Sequence, residues 1–353
     1  MTDARVEDVA GAVAALGDAV GAEARARLDA KTKPRGSLGR LEDLAVRIAI
    51  VRGDAHPGPL DPVLVVVAAD HGVAVEGVSA YPREVTGQML ANFQTGGAAV
   101  AVLCRNAGAR LVVVDAGVLE PPSLAGVIDL SLGRGTANAA FGAAMTRDVA
   151  AEGIVRGAAL GRRLVDEGAG VVALGEMGIG NTTVAAALAC ALLDCDPRSA
   201  CGRGTGLDDA GVAHKVDVVR RMLAANRPTA DDPLGALAAV GGFELAVLAG
   251  VALGAAAERA VVLLDGFISS CAGLLATRIA PALGEYLVAA HRSPEPGHGL
   301  VLDALGLDPL LDLELRLGEG SGAALALPLL GGARAILVEM ATFADAGVSD
   351  TGR

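Results

Sequence analysis

Seven carboxylates fall where the sequence predicts loops or strand ends: Asp70, Glu84, Asp115, Glu176, Asp265, Glu295 and Glu319. Acids in a cleft can take a proton from a reacting group or stabilise a developing cation. Two of them have unusual neighbours. Glu319 stands between Gly318 and Gly320 in LGEGSGA, so no side chain beside it competes for a ligand. It fits a general base, and it equally fits an acid that complements a helix start. Glu176 lies in GEMGIGNTT, residues 175–183, between the apolar run 170–174 and the helix former VAAAL. Strand, glycine turn and helix is the local reading. Gly178 and Gly180, around Ile179, let the backbone approach a ligand, and the free N–H groups at the helix start then face an anion. Asn181 is polar, and Thr182 and Thr183 can add hydroxyl donors. A phosphate would repel Glu176, which is therefore expected to face a sugar hydroxyl or a cationic ring. An ordinary βα turn with a capping Thr accounts for the same residues. The stretch lacks the Lys of G-x-x-x-x-G-K-[ST] and the spacing of G-x-G-x-x-G.

Other constellations are weaker. His71, His291 and His298 have acids nearby, but their spacing matches no zinc pattern and no Cys completes one, so no metal is expected. Ser79, Ser269, Ser293 and Ser321 lie outside any G-x-S-x-G elbow, which disfavours covalent catalysis. A basic glycine loop, KPRGSLG at 33–39, carries Lys33 and Arg35, with Arg40 just after it. It suits anion contact or plain solvation, and Ser37 is placed to cap the next helix.

The elements that must position these groups follow from periodicity. Residues 63–69 form a continuous apolar, β-branched run of the kind buried on both faces of a parallel sheet, and they end in Asp70-His71-Gly72. Further strands are expected at 110–114 before Asp115, 168–174, 261–264 before Asp265 and 286–290 before His291. Ala- and Leu-rich helical stretches alternate with them, including 3–29 as a helix or helix pair, a helix opened by Pro82 and Glu84, and 208–225. That alternation implies an α/β fold with an open, mostly parallel sheet, helices on both faces, and polar residues collected at its carboxyl edge.

Composition narrows the function classes. The chain of 353 residues has a net charge of −12, two Tyr, five Phe and no Trp. Nucleic acid is disfavoured as a partner, because a duplex-binding face is basic and single strands need stacking rings. Abundant Gly and Ala predict closely packed helices. Five cysteines without a C-x-x-C pair read as buried free thiols in a reducing compartment. The N-terminus has no signal pattern, and the longest uncharged helical run, 245–256, is short for a span, so a cytoplasmic protein with no membrane partner is expected.

Seven segments, in order, resemble one family, the nicotinate-nucleotide–dimethylbenzimidazole phosphoribosyltransferases of cobalamin nucleotide-loop assembly. They are KPRGSLGRLEDLA, AADHGVAVEGVSAYPREVTGQML, GEMGIGNTT, GRGTGLDD, DGFISS, SPEPGH and LRLGEGSGA, spanning 33–323. The resemblance implies a Rossmann-like sheet domain over about 58–300 and a smaller, discontinuous helical domain from about 1–57 with 301–353. It implies transfer of phosphoribose from nicotinate mononucleotide to a benzimidazole, with inversion at the anomeric carbon, in a homodimer without metal or cofactor. Residue by residue, it makes Glu319 the general base and Glu176 a second catalytic acid. Gly178, Ile179, Gly180, Asn181 and Thr182 would hold the 5′-phosphate with Lys215 near it. Asp265, Ser293, Gly318 and Gly320 would line the cleft, and Tyr81 and Gln88 the base pocket. Arg35, where a second proline is common, and Cys271, in a stretch of small residues, depart from the pattern. A non-catalytic nucleotide-binding regulator, or a phosphohydrolase using Asp70, His71 and a metal, are the competing readings.

Overall fold

The computed structural model describes residues 2–122 and 125–349. Six parallel strands form one sheet in the order β3-β2-β1-β4-β5-β6: β1 Val63–Ala69, β2 Arg110–Gly117, β3 Ile128–Asp129, β4 Val171–Met177, β5 Val261–Leu264 and β6 Leu287–Ala289. The chain winds outward from β1 to β3, then returns to β4 beside β1 and winds the other way. This is the doubly wound order, with its switch point between β1 and β4.

Three helices precede β1: α1 (Thr2–Gly11), α2 (Ala19–Asp29) and α3 (Arg40–Arg52). Next come α4 (Val85–Thr95) and α5 (Ala99–Ala107) before β2, and α6 (Arg147–Asp166) before β4. Between β4 and β5 run α7 (Asn181–Leu193), α8 (Pro197–Ala200), α9 (Asp209–Asn226), α10 (Pro233–Val240) and α11 (Phe243–Ala257). Then α12 (Phe267–Ile279) leads to β6, followed by α13 (Pro296–Leu305), α14 (Ser321–Glu339) and α15 (Phe343–Ala346). The β1 sequence VLVVVAA is buried throughout, because helices cover both faces of a parallel sheet.

Several boundaries differ from the sequence reading. β4 runs on to Met177, so Glu176 belongs to the strand, in register with Val67 of β1, and not to the turn. β2 likewise continues through Asp115, whose carboxylate accepts from Gly117 and Val118 N–H at 2.8 Å each. The two-residue β3 has no pattern long enough to foresee. Ser37 does not cap α3; Gly39 takes that place without a side-chain bond. Glu42, in the first turn, instead accepts from Leu38 N–H and pairs at 2.8 Å with Lys33, which takes the lysine of the basic loop out of anion contact.

The two ends of the chain meet. Helix α14 packs on α3, α5 and β4, and also touches α2, while Lys31 bridges to Thr342. By length and composition α14 could cross a membrane, but it carries Pro328 inside it and half of its apolar window is buried against these helices.

The expected close packing is greatest between α6 and α11. Gly153, Gly157 and Gly161 recur every four residues on α6, opposite Gly250 and Gly254 on α11. A Cβ on Gly157 would fall inside contact distance of the Val247 carbonyl, and one on Gly250 or Gly254 inside that of Ile154 or Ala158. The two backbones therefore touch, and any side chain forces them apart. Gly157→Ala is expected to lower unfolding stability by about 1–3 kcal/mol in urea denaturation. Gly299→Ala, in α13 where nothing lies within 4 Å of the added methyl, should raise it by about 0.5–1 kcal/mol.

Candidate active site

The carboxyl ends of β1 and β4, at the switch point, carry Asp70-His71 and Glu176-Met177 side by side. Glu176 is buried, and its Oε2 accepts from the side-chain amide of Asn181 at the start of α7. A Cβ on Gly318 would lie 2.5 Å from Glu176 Oε1, so the glycine lets the LGEGSGA turn close over the acid.

That turn holds Glu319. Gly318, Glu319 and Gly320 are all left-handed, with φ of 80°, 64° and 91°. Glutamate there costs about 1–2 kcal/mol and persists only because its surroundings hold it. Asp265, at the end of β5, supplies the hold: its two oxygens accept from Gly320 N–H at 3.2 Å and Ala323 N–H at 2.8 Å, in the first turn of α14. Gly175 supplies the space, since a Cβ on it would overlap the Glu319 carbonyl. Asp265 thus positions the turn as well as lining the cleft, and His291 Nε2 lies 3.6 Å from it.

Burial dominates the protonation of these acids. Glu176 is pushed up to about 8, first by burial, then by the charges of Asp265, Glu244 and Glu319; the Glu319 N–H partly offsets this. Burial raises Glu319 as well, against a backbone N–H from Val100 in α5, and Asp265 adds repulsion. Glu319 Oε2 is buried with no hydrogen-bond partner.

A buried cation lies behind Thr182. Lys215, on α9, is buried and donates to Thr182 Oγ1 at 3.0 Å and to the Gly202 carbonyl at 3.1 Å; burial lowers its pKa. Gly204 N–H donates to Glu295 at 2.8 Å, which fixes the loop between α8 and α9. Neither Thr182 nor Thr183 caps α7: Gly180, left-handed with φ 95°, is the cap residue, and the threonines fall inside the first turn. The capping-Thr reading of this turn is therefore wrong, and Thr182 faces Lys215 instead.

A cavity of about 90 Å³ is lined by Glu176, Gly178, Ile179, Asn181, Thr182, Asp265, Ser293 and Gly318, with Met177, Phe267, Ile268, Leu315 and Leu317 as its apolar walls. Through Glu295 and Arg316 it shares a border with a larger cavity of about 720 Å³. Ser293 is held by His298, whose Nδ1 accepts its N–H at 2.9 Å while Ser270 meets Nε2; burial drives His298 down to about 3. Glu319, Gly320 and Lys215 lie behind this lining and not in it, and Tyr81 and Gln88 are not among these residues either. Tyr81 is 55% exposed, and Gln88 lines a separate cavity of about 530 Å³ with Asp70, Arg83 and Glu84.

Sequence reasoning did not see that His71 pairs with Glu244, nor that Asp265 binds the α14 start. Both link positions far apart in the chain, and no local pattern signals them. The five cysteines are free, four of them buried. Among the described residues, no group of three or more His, Cys, Asp or Glu is arranged to hold a metal ion.

A family model described as phosphoribosyltransferase matches residues 13–348. The chain is 51% identical over 335 residues to a nicotinate-nucleotide–dimethylbenzimidazole phosphoribosyltransferase of Roseiflexus sp. (strain RS-1), covering 95% of each. To the enzyme of that name from Pseudomonas fluorescens (strain SBW25) it is 52% identical over 329 residues, 93% of this chain and 94% of the relative. The crystal structure of CobT from Thermus thermophilus superposes with a TM-score of 0.90 at 48% identity, covering 94% of this chain and 99% of that one.

The acid cluster has a consequence for stability. An acid whose folded pKa is raised favours folding below its unfolded pKa and loses that contribution as pH rises through the folded value. For Glu176 the window runs from 4.5 to about 8. Thermal midpoints without ligand should therefore fall from pH 5 to pH 8.5, by at most about 1.4 kcal/mol per pH unit for this group. Glu176→Gln should flatten the slope, and an unchanged slope would remove the premise that Glu176 is protonated near neutrality.

Proposed function

This chain belongs to the phosphoribosyltransferase family, and from that premise we propose that it transfers phosphoribose from nicotinate mononucleotide to 5,6-dimethylbenzimidazole or a related base. The products are α-ribazole 5′-phosphate and nicotinate, an intermediate step of cobalamin nucleotide-loop synthesis. The observation that carries the reading is the buried acid Glu176 in a cavity that the α7 start and Thr182 also line, with Lys215 bonded to Thr182 and the Glu319 turn closing over the acid.

The chemistry divides along that crevice. The 5′-phosphate binds at the Gly178–Gly180 turn and the first turn of α7, with Lys215 and Thr182 nearby. The pyridinium ring and the sugar face the acids. As the bond between ribose C1 and the pyridinium nitrogen breaks, its electron pair leaves with nicotinate and cationic character grows on the sugar, which carboxylates stabilise. A benzimidazole nitrogen attacks C1 from the opposite face, giving inversion. The proton on the other azole nitrogen passes to Glu319, whose unpartnered Oε2 accepts it. A raised pKa makes Glu319 a stronger base once it is ionised. Glu176 releases its proton to solvent as the pyridinium arrives, and its carboxylate then stabilises the growing sugar cation.

We propose the finer assignments on the same footing. Gly318 and Gly320 hold the Glu319 turn, while Asp265 and Ser293 line the sugar side. Tyr81 and Gln88 act on the acceptor base only if α4 and its leading loop come closer with substrate bound. The sheet forms a large domain, and the helices at the two chain ends form the smaller one. Exposed apolar groups such as Val75 and Phe141, at 61% and 76% exposure, suit a homodimer, and the free thiols suit the cytoplasm.

The test is chromatographic. Incubation with nicotinate mononucleotide and dimethylbenzimidazole, with and without EDTA, should yield equal amounts of nicotinate and α-ribazole phosphate. Glu319→Gln should cut the rate about 10²–10⁴-fold. The wild-type rate should climb between pH 5 and 8 as Glu319 and Glu176 lose their protons. Nucleotide binding without product from any azole would overturn the transferase and leave a regulator, and a rate abolished by EDTA would favour a metal-dependent hydrolase.

A further inference from the structure

His71 and Glu244 take no part in the chemistry above, yet both side chains are wholly buried beside it. His71 follows β1, and its Nε2 lies 3.2 Å from Oε1 of Glu244, in the first turn of α11. Two glycines make room for them. A Cβ on Gly178 would lie 2.9 Å from His71 Nε2, and one on Gly242 would lie 2.6 Å from His71 Cε1. The pair is thus pressed against the underside of the turn that follows Glu176. Neither ring nitrogen and neither Glu244 oxygen has a well-aligned hydrogen-bond partner. Out of water and without other partners, each group has only the other as counter-charge, and removing one strands its mate.

The charged groups facing the pair come from three elements. Asp70 follows β1, Glu176 closes β4, and Glu244 itself comes from α11. Asp265 and Glu319 act on Glu176 as well, from β5 and the α14 turn. Glu244 is therefore one of the acids opposing ionisation of Glu176, and His71 is the cation set against Glu244.

We propose that His71 and Glu244 are positioning residues, a buried imidazolium–carboxylate pair that supports the 177–180 turn and screens Glu176 from the charge of Glu244. Burial alone would strip the proton from His71, but the charge and contact of Glu244, with that of Asp70, outweigh it and raise the pKa. The screening lets Glu176 ionise when a cationic nucleotide arrives. That functional meaning rests on the proposed transfer, whereas the pair and its effect on Glu176 do not.

Thermal midpoints from pH 5 to 9, without ligand, test this in three backgrounds: wild type, His71→Gln, and His71→Gln with Glu244→Gln. Each is measured with and without Glu176→Gln, and the difference within each background reads where Glu176 titrates. In wild type the difference should change with pH above 4.5 and level off at about 8. Loss of His71 alone should move the levelling-off pH up by about one pH unit, and loss of both charges should bring it back. A ring that merely fills space would leave the levelling-off pH unmoved in His71→Gln, and that result, or a shift that the double variant does not reverse, overturns the proposal. Should His71→Gln fail to fold while the double variant folds, rescue by charge removal supports it. Failure of both to fold would mean that shape, not charge, is what matters, and would overturn it. No substrate enters these measurements, so failure of the transferase reading would show separately, as wild-type protein that makes no product.

Discussion

The grip of Asp265 on the first turn of α14 is the constraint from which the rest of the site follows. Two backbone N–H groups, of Gly320 and Ala323, are satisfied by one carboxylate from the end of β5. Those N–H groups would otherwise be orphans of a buried helix start. Because the bonds are made from the sheet, the turn before α14 has no freedom to relax, and Glu319 stays in a left-handed conformation that glutamate would not choose. The same closure presses the Glu319 backbone onto Gly175 and brings Gly318 over Glu176. One acid is thereby spent on structure, and the turn it holds closes over a second.

This arrangement leaves the crevice over-supplied with negative charge. Glu176, Asp265, Glu319 and Glu244 act on one another at short range where water is largely absent. The protein relieves the repulsion in different ways for each acid. Asp265 is bonded to backbone N–H groups, Glu244 is set against His71, and Glu176 keeps its proton near neutrality. A cationic ring entering the crevice supplies what is missing, so affinity for a pyridinium and for a sugar cation arises from a cost already built into the fold. A neutral nucleotide would find no such vacancy of charge. The phosphate end, in the proposed reading, is met by helix N–H groups and Lys215. The overall charge of −12 is no obstacle to an anionic substrate when its anionic part is met locally.

Much of this was legible in the chain, for reasons that can be stated residue by residue. The β1 and β4 runs had to be buried strands because they are apolar without alternation, and their order as a parallel sheet followed from the helices between them. Glycines 178 and 180 could be read as places of close approach, and glycines 318 and 320 as neighbours that leave Glu319 without side-chain competition, because glycine carries no side chain. The family resemblance supplied roles that spacing alone left open. What was not legible is of one kind. The Thr cap was misread because a left-handed Gly180 caps α7 two residues before Thr182, and conformation at a single glycine is invisible in a pattern. The partners of Asp265 and His71 lie 55 and 173 residues away along the chain. Only the fold brings them together, and no periodicity announces a hydrogen bond across it.

The backbone contact between α6 and α11 belongs to the same argument. Helix α11 lies directly on β1, β2, β4 and β5, and its first turn carries Glu244. If α6 could not approach α11 through its three glycines, α11 would be free to lift from the sheet, and Glu244 would lift with it. Gly242 shows how little slack is available, since a single added carbon there would meet both His71 and Glu244. The α6–α11 interface therefore bears on the height of a carboxylate beneath the glycine turn. Small residues on the outer helices serve the same end as the glycines in the crevice: they remove side chains so that backbones define the distances, and distances between backbones vary less than those between rotamers.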